Sequence, residues 1–219
     1  MSRDYWAKKK MFDAGVVGIL LAGGKSRRMG GGDKCLRILG TKTILRYVID
    51  RARPQVGSLV LNANGDLTRF AEYRLPLVSD SVDGFVGPLA GVLAGMDWVS
   101  QNIPDANWIA SFATDAPFLP SNMVEKFLQV ANSEESDIVC AASNRRRHPV
   151  FGLWPVRLKN ELRDAIVNEG IRKVEHWTSR YRFSTANFRD DGIDPFFNAN
   201  RPTDLIRADA WLRLNGTNE

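Results

Sequence analysis

Cysteine and histidine are scarce in this chain, with two of each among 219 residues. Cys35 and Cys140 stand apart, in neither a CxxC pair nor a disulfide framework, so a reducing compartment is expected and cytoplasm is its default. His148 has no Cys or His partner at metal spacing and precedes Pro149, which makes it a structural or substrate-contact residue rather than a ligand. Nowhere do about 18 apolar residues follow one another, which argues against a membrane-spanning helix. Residues 1–14 carry Lys8, Lys9 and Lys10 but no apolar stretch of signal-peptide length, and read as a flexible extension of one domain spanning 1–219. Internal repeats, low-complexity segments and a long basic tail are also missing. With a net charge of only +5 and acidic residues spread along the chain, an anionic small substrate fits better than nucleic acid. What remains is a 44% hydrophobic chain long enough to bury one sizeable core.

The richest stretch runs from Ile19 to Lys34. An apolar run, Val16 to Leu21, predicts a buried strand, after which side chains vanish at Gly23 and Gly24, where a ligand could approach the backbone closely. Lys25, Arg27, Arg28 and Lys34 then mix cations with glycines, a composition suited to phosphate. The P-loop spacing fails, because the position that needs the first glycine holds Ile19. The dinucleotide fingerprint fits only by sliding the register. A basic surface loop after a core strand is the plain alternative.

Further along, helical spacing predicts a helix from Ile44 to Ala52, ended by Pro54, and Ser58 to Leu61 reads as a strand. It runs into Asn62-Ala63-Asn64-Gly65, which is either an ordinary Asn-Gly turn or a set of ligand-binding residues at a strand end. A short helix over Leu67 to Tyr73 and a strand over Leu75 to Ser79 lead to Asp80. Gly87-Pro88 opens the next helix, whose Gly91 and Gly95 serve tight packing or an exposed binding surface. Trp108 to Ala113 is the most buried-looking strand and ends at Thr114-Asp115-Ala116-Pro117. An Asp there suits Mg2+ that keeps several waters and bridges phosphates, or else caps a turn. Asp137 to Ala142 and Pro149 to Trp154 read as strands joined by Ser143 to His148, with Arg145, Arg146 and Arg147 at the tip. Helices are expected over Arg157 to Val167, after Gly170 with Arg172 and Lys173 near its start, and through Leu205 to Leu212; Tyr181 to Ala186 is a late strand. The pattern predicts an α/β fold: a three-layer, Rossmann-like sandwich whose mostly parallel sheet has a mixed edge.

Leu-Ala-Gly-Gly through Lys34, Asn62-Ala63-Asn64, Asp80 with Gly87-Pro88-Leu89-Ala90-Gly91, Asp115-Ala116-Pro117 and Asn198-Ala199-Asn200 occur in an order and approximate spacing that resemble molybdenum cofactor guanylyltransferase. The resemblance extends from Val17 to about Leu214. It implies that Leu21, Ala22, Gly23 and Gly24 contact GTP, with Asn62, Asp80, Gly87 and Gly91 around the nucleoside. It also implies that Lys34 and Arg28 meet phosphates, that Asp115 holds Mg2+, and that Asn198 and Asn200 lie toward the pterin. Asp33 stands where wider sugar nucleotidyltransferases have proline, favouring the guanylyl branch, while Cys35 replaces a residue that is often small. The implied reaction is in-line attack by the terminal phosphate of molybdopterin on the α-phosphorus of GTP. Molybdoenzyme apoproteins or their chaperones are the implied protein partners. CMP transfer to the same cofactor, transfer to a sugar phosphate, and a non-catalytic cofactor carrier are the competing readings.

Overall fold

The computed structural model describes residues 15–22, 33–84, 87–199 and 201–215. Strand β1 (Val16–Leu21) is followed by a small hairpin of β2 (Ile38–Leu39) and β3 (Lys42–Thr43), helix α1 (Ile44–Ala52), β4 (Ser58–Asn62), a 3-10 segment over Leu67–Tyr73, and β5 (Leu77–Val78). Helix α2 (Pro88–Asn102), β6 (Trp108–Ala113), α3 (Met123–Ser133), β7 (Ile138–Ser143) and β8 (Arg146–Pro155) come next. Helix α4 (Lys159–Val167), α5 (Val174–Thr178), β9 (Phe183–Phe188) and α6 (Pro202–Asn215) follow them. Among the described residues, seven strands form one sheet in the order β5-β4-β1-β6-β8-β7-β9. All neighbours are parallel except at β8, which opposes both β6 and β7.

The strand period sorts apolar residues onto the two faces of the sheet. On β1, Val16 and Leu20 join one core cluster, which takes its helical residues from α1 and α3. Val17 and Ile19 join the other, with α2, α4 and α5. Because helices cover both faces, central strands read as unbroken apolar runs, and this is why β1 and β6 were legible. Helix α1 starts at Thr43, whose hydroxyl accepts the Arg46 N–H at 3.2 Å. Helix α6 folds back on the β2–β3 hairpin, where Trp211 packs against Phe118 with ring centroids 4.7 Å apart. No helix among the described residues is long and apolar enough to cross a membrane.

Local boundaries differ from the sequence expectation in several places. Strand β5 is shorter than Leu75 to Ser79, and β9 begins at Phe183 because Tyr181 packs its ring on Trp177 at 5.1 Å. The β2–β3 hairpin had no sequence signal strong enough to predict it. The largest correction concerns Ser143 to His148. The β7–β8 connection is only Asn144 and Arg145, both at positive φ (49° and 63°), the two-residue geometry that follows strand twist. Arg146, Arg147 and His148 therefore begin β8 and pair with Ser143, Ala142 and Ala141. Polar residues mark a strand that runs out beyond the core, not a longer loop.

Strand β8 accompanies β6 only as far as the Ser111–Gly152 pair, whereas it follows β7 down to Arg146. Beyond Gly152 the hairpin parts from β6. Ser111 stands at the fork: its hydroxyl donates to the Val150 carbonyl (2.6 Å) and accepts from the Gly152 N–H (3.1 Å) and from Trp154 Nε1 (2.8 Å). A Cβ on residue 152 would lie 2.7 Å from the Trp154 ring, so only glycine lets the indole fold back to Ser111.

Candidate active site

The opening left by that fork is a cleft of about 590 Å³ at the carboxyl ends of β1, β4, β5 and β6. Leu21, Ala22, Lys34, Asn62, Asp80, Gly87, Gly91, Asp115 and Asn198, chosen from seven separated segments of sequence, all line it. Gly23, Gly24, Arg28 and Asn200 lie outside the described residues. Asp33, Cys35, Thr114 and the β8 residues from Arg146 to Phe151 complete much of the wall.

Strand ends on the parallel side are bonded to one another. The Ala22 N–H donates to the Asn62 carbonyl at 2.9 Å, and the Thr114 hydroxyl donates to the Leu21 carbonyl at 3.1 Å. Asn62 Nδ2 donates to one carboxylate oxygen of Asp80 (2.9 Å) and Asn64 Nδ2 to the other (2.7 Å), while Asn64 Oδ1 receives the Asp80 N–H (3.0 Å). The Asn-Gly turn is thus a clamp that fixes the Asp80 carboxylate and leaves each oxygen a further lone pair. Asn62 sits beneath the first turn of α2: a Cβ on residue 91 would come within 2.5 Å of its Oδ1 and 2.6 Å of Leu21 Cδ2. The packing reading of Gly91 therefore holds, and the same closeness puts it in the cleft wall.

Arg69 carries no sequence signal of a role at this site. Its guanidinium donates to the Asp33 carboxylate and to the Asn64 carbonyl (2.9 Å) and lies 4.5 Å from the Phe70 ring centroid. The segment carrying Asp33 and Lys34 is thereby moored to the β4 turn. An Arg and an Asp 36 residues apart carry no local pattern that could have revealed the pair.

Asp115 follows the β6 terminus, and its carbonyl accepts the Ala199 N–H at 3.0 Å, which draws Asn198 to the cleft floor. Burial pushes its carboxyl above the usual range, with the Lys34 ammonium opposing the shift. Among the described residues no three His, Cys, Asp or Glu converge as a metal cage. A carboxylate whose charge is undercompensated, with few protein ligands around it, fits Mg2+ that takes its other ligands from water and phosphate. Cys35 packs into the core with 3% exposure, and burial, aided by the Asp33 charge, pushes its thiol up to about 12. It is a wall residue and not a nucleophile.

The opposite wall is β8. Arg146 and Arg147 are exposed along it, whereas Arg145 sits in the turn, and Arg172 approaches Gly87 with its carbonyl rather than its charge. His148 Nε2 is 2.7 Å from the Ser143 hydroxyl, which donates to Asp194 Oδ1 at 2.8 Å; the ring lies 4.7 Å from that of Phe196. One wall therefore offers fixed carboxylate and backbone groups, and the other offers guanidinium groups and an imidazole. Such a cleft can hold two anionic groups on either side of a shared cation.

Comparison with known proteins gives these features a family. A model described as the MobA-like NTP transferase domain matches residues 18–181. A molybdenum cofactor guanylyltransferase of Bradyrhizobium sp. (strain ORS 278) is 52% identical over 194 residues, covering 89% of this chain and 92% of that protein. Another, from Rhodopseudomonas palustris (strain HaA2), is 51% identical over 191 residues, covering 87% and 89%. The fold is similar to that of molybdopterin-guanine dinucleotide biosynthesis protein A from Archaeoglobus fulgidus, with a TM-score of 0.72 at 22% identity over 90% of this chain and 99% of that one.

Proposed function

This chain belongs to the MobA-like NTP transferase family, and from that premise we propose that it transfers GMP from GTP to the terminal phosphate of molybdopterin, releasing pyrophosphate. The observation that carries the reading is the convergence of Leu21, Ala22, Lys34, Asn62, Asp80, Asp115 and Asn198 on one cleft. Leu21 and Ala22, with Asn62, Asp80, Gly87 and Gly91, form the nucleotide side. Lys34, together with Gly23, Gly24 and Arg28 of the signature loop, would answer the charge of the triphosphate, and Asn198 and Asn200 are assigned to the pterin. Asp115 would hold Mg2+, which when bound neutralises phosphate charge.

The attacking phosphate is already ionised near pH 7, so the protein needs no general base and no covalent intermediate. Its work is to bring the two phosphates into line and to hold cations beside them. Lys34 suits that task because the buried Asp115 carboxylate lies close enough to feel its charge. Molybdoenzyme apoproteins or their chaperones would receive the product.

The test is pyrophosphate release from GTP, CTP or ATP in the presence of Mg2+ and metal-loaded molybdopterin, with the pterin product identified. Release with GTP and a guanine dinucleotide product is the expected result. Preference for CTP would change the base assignment, and binding without release would make the chain a carrier.

A further inference from the structure

The β8 wall contains one group whose chemistry differs from its neighbours. Ser143 Oγ has a single hydrogen, and Asp194 Oδ1, 2.8 Å away, accepts it. The 2.7 Å contact between the same Oγ and His148 Nε2 must then be donated by the ring. In the neutral imidazole this places the proton on Nε2 and leaves Nδ1 as a bare acceptor. Phe196, whose N–H also donates to Asp194 Oδ1 at 2.9 Å, backs the ring, so its orientation is held from two directions.

Nδ1 makes no hydrogen bond to any described residue and is not sealed in the interior, and His148 lines the cleft. Burial holds the imidazole below its ordinary range; Asp194 opposes this and Arg146 assists it, so the ring is neutral near pH 7. Beside it Arg146 and Arg147 can only donate, which suits a phosphate. A neutral acceptor two residues along the strand from Arg146, on the same face, suits a different part of the same substrate.

Resting on the reaction proposed above, we infer that His148 is a binding residue of the acceptor side, its Nδ1 accepting a hydrogen bond from a ring N–H or amino group of the pterin. The Asp194–Ser143 pair is the positioning element that fixes the tautomer. Guanine carries similar donors, yet the acceptor on the nucleotide side is the Asp80 carboxylate, clamped by Asn62 and Asn64.

Substitution separates the two ring nitrogens. His148→Gln keeps a group near Ser143 but leaves nothing at Nδ1, whereas His148→Asn keeps an amide oxygen near Nδ1. With GTP and metal-loaded molybdopterin, His148→Gln should raise the KM for molybdopterin about tenfold, the loss of one hydrogen bond, and leave the KM for GTP within about twofold. His148→Asn should recover most of the loss. Should the Gln variant not fold, His148→Phe keeps a ring on Phe196 and carries the same expectation. Only His148 and His176 contribute imidazole signals, so nitrogen-15 NMR of the resting protein can read the tautomer directly and should find Nδ1 unprotonated. An Nδ1–H tautomer, or wild-type KM for molybdopterin in a folded His148→Gln enzyme, overturns the inference while the reaction stands. Wild-type protein that releases no pyrophosphate with these substrates overturns both.

Discussion

The two walls of the cleft are built by different means. On the parallel side, β1, β4, β5 and β6 end together, and the groups at their ends bind one another: Ala22 to Asn62, Asn62 and Asn64 to Asp80, Thr114 to Leu21. On the antiparallel side, a strand leaves its neighbour at Ser111 and carries Arg146, Arg147 and His148 out along the opening. The first wall is rigid because its polar groups are mutually satisfied. The second depends on one fork and one hydroxyl relay; Arg146 and His148 line the cleft there, while the Arg147 guanidinium lies 5.4 Å from the Phe183 ring centroid. In the proposed reaction the nucleotide would meet the wall whose groups bond one another, and the pterin acceptor the wall built by the fork.

The strongest test is made between the walls, at Asp115. Asp115→Asn should lower turnover about a hundredfold or more, comparable to removing a principal electrostatic group from a transition state. It should also raise the melting temperature of the metal-free protein. The sign follows from burial, which sets the folded-state pKa of this carboxyl above its unfolded value. Below the unfolded pKa both states are protonated and nothing is lost; as pH rises through the window to the folded pKa, the unfolded chain ionises first and stability falls. At neutral pH the charge thus costs stability, and the amide removes that cost. Unchanged turnover would remove Asp115 from the mechanism, and a lower melting temperature would make it a structural residue. Lys34→Ala should follow with a tenfold to hundredfold loss, roughly the worth of one preorganised charge, and an unchanged rate would contradict its phosphate role.

Much of the parallel wall was legible because its signals are local. Strand β1 and the strand ends at Asn62, Asp80 and Asp115 lie within short apolar-to-polar transitions, and a parallel sheet brings such transitions to one edge by topology alone. The other wall was not. Arg145 to Arg147 read as the tip of a turn, either solvated or gripping an acidic substrate, and His148 as a structural or substrate-contact residue, because strand pairing beyond the core requires no apolar residue. Ser111 looked like an unremarkable small residue inside a buried strand, and its three hydrogen bonds join it to positions 150, 152 and 154, which no local spacing reveals. Arg69–Asp33 and Ser143–Asp194 are long-range pairs of the same kind.

The division between the walls can be sharpened by one substitution in each. Ser111→Ala leaves the Gly152 N–H and the Trp154 indole without their partner and should cost about 1–3 kcal/mol of stability, the penalty of stranding buried donors. Because β8 carries the acceptor side in the proposed reaction, KM for the acceptor should rise more than KM for GTP. Gly91→Ala should do the reverse, since the new methyl meets Asn62 and Leu21, which the proposal assigns to the nucleotide side. Denaturant titration and paired KM measurements check both. Equal changes in the two KM values for each variant would mean that the walls act as one unit.

The smallest effect is expected at Cys35, where the walls have least to do with its chemistry. Its thiol lines the cleft, yet burial and the Asp33 carboxylate push it up to about 12, so at pH 8 only about one molecule in ten thousand carries the thiolate that alkylating reagents attack. Cys140 is buried on β7, paired with Gly152 of β8, and its thiol is also pushed up to about 12. Iodoacetamide should therefore label the folded protein slowly at both cysteines and rapidly only after denaturation, and Cys35→Ala should change turnover by less than about twofold. Fast labelling of Cys35 alone would mean that the segment moored by Arg69 opens readily, and adding GTP should then slow it. Fast labelling of Cys140 would instead locate the opening at the helices over the sheet face that it shares with Ile138.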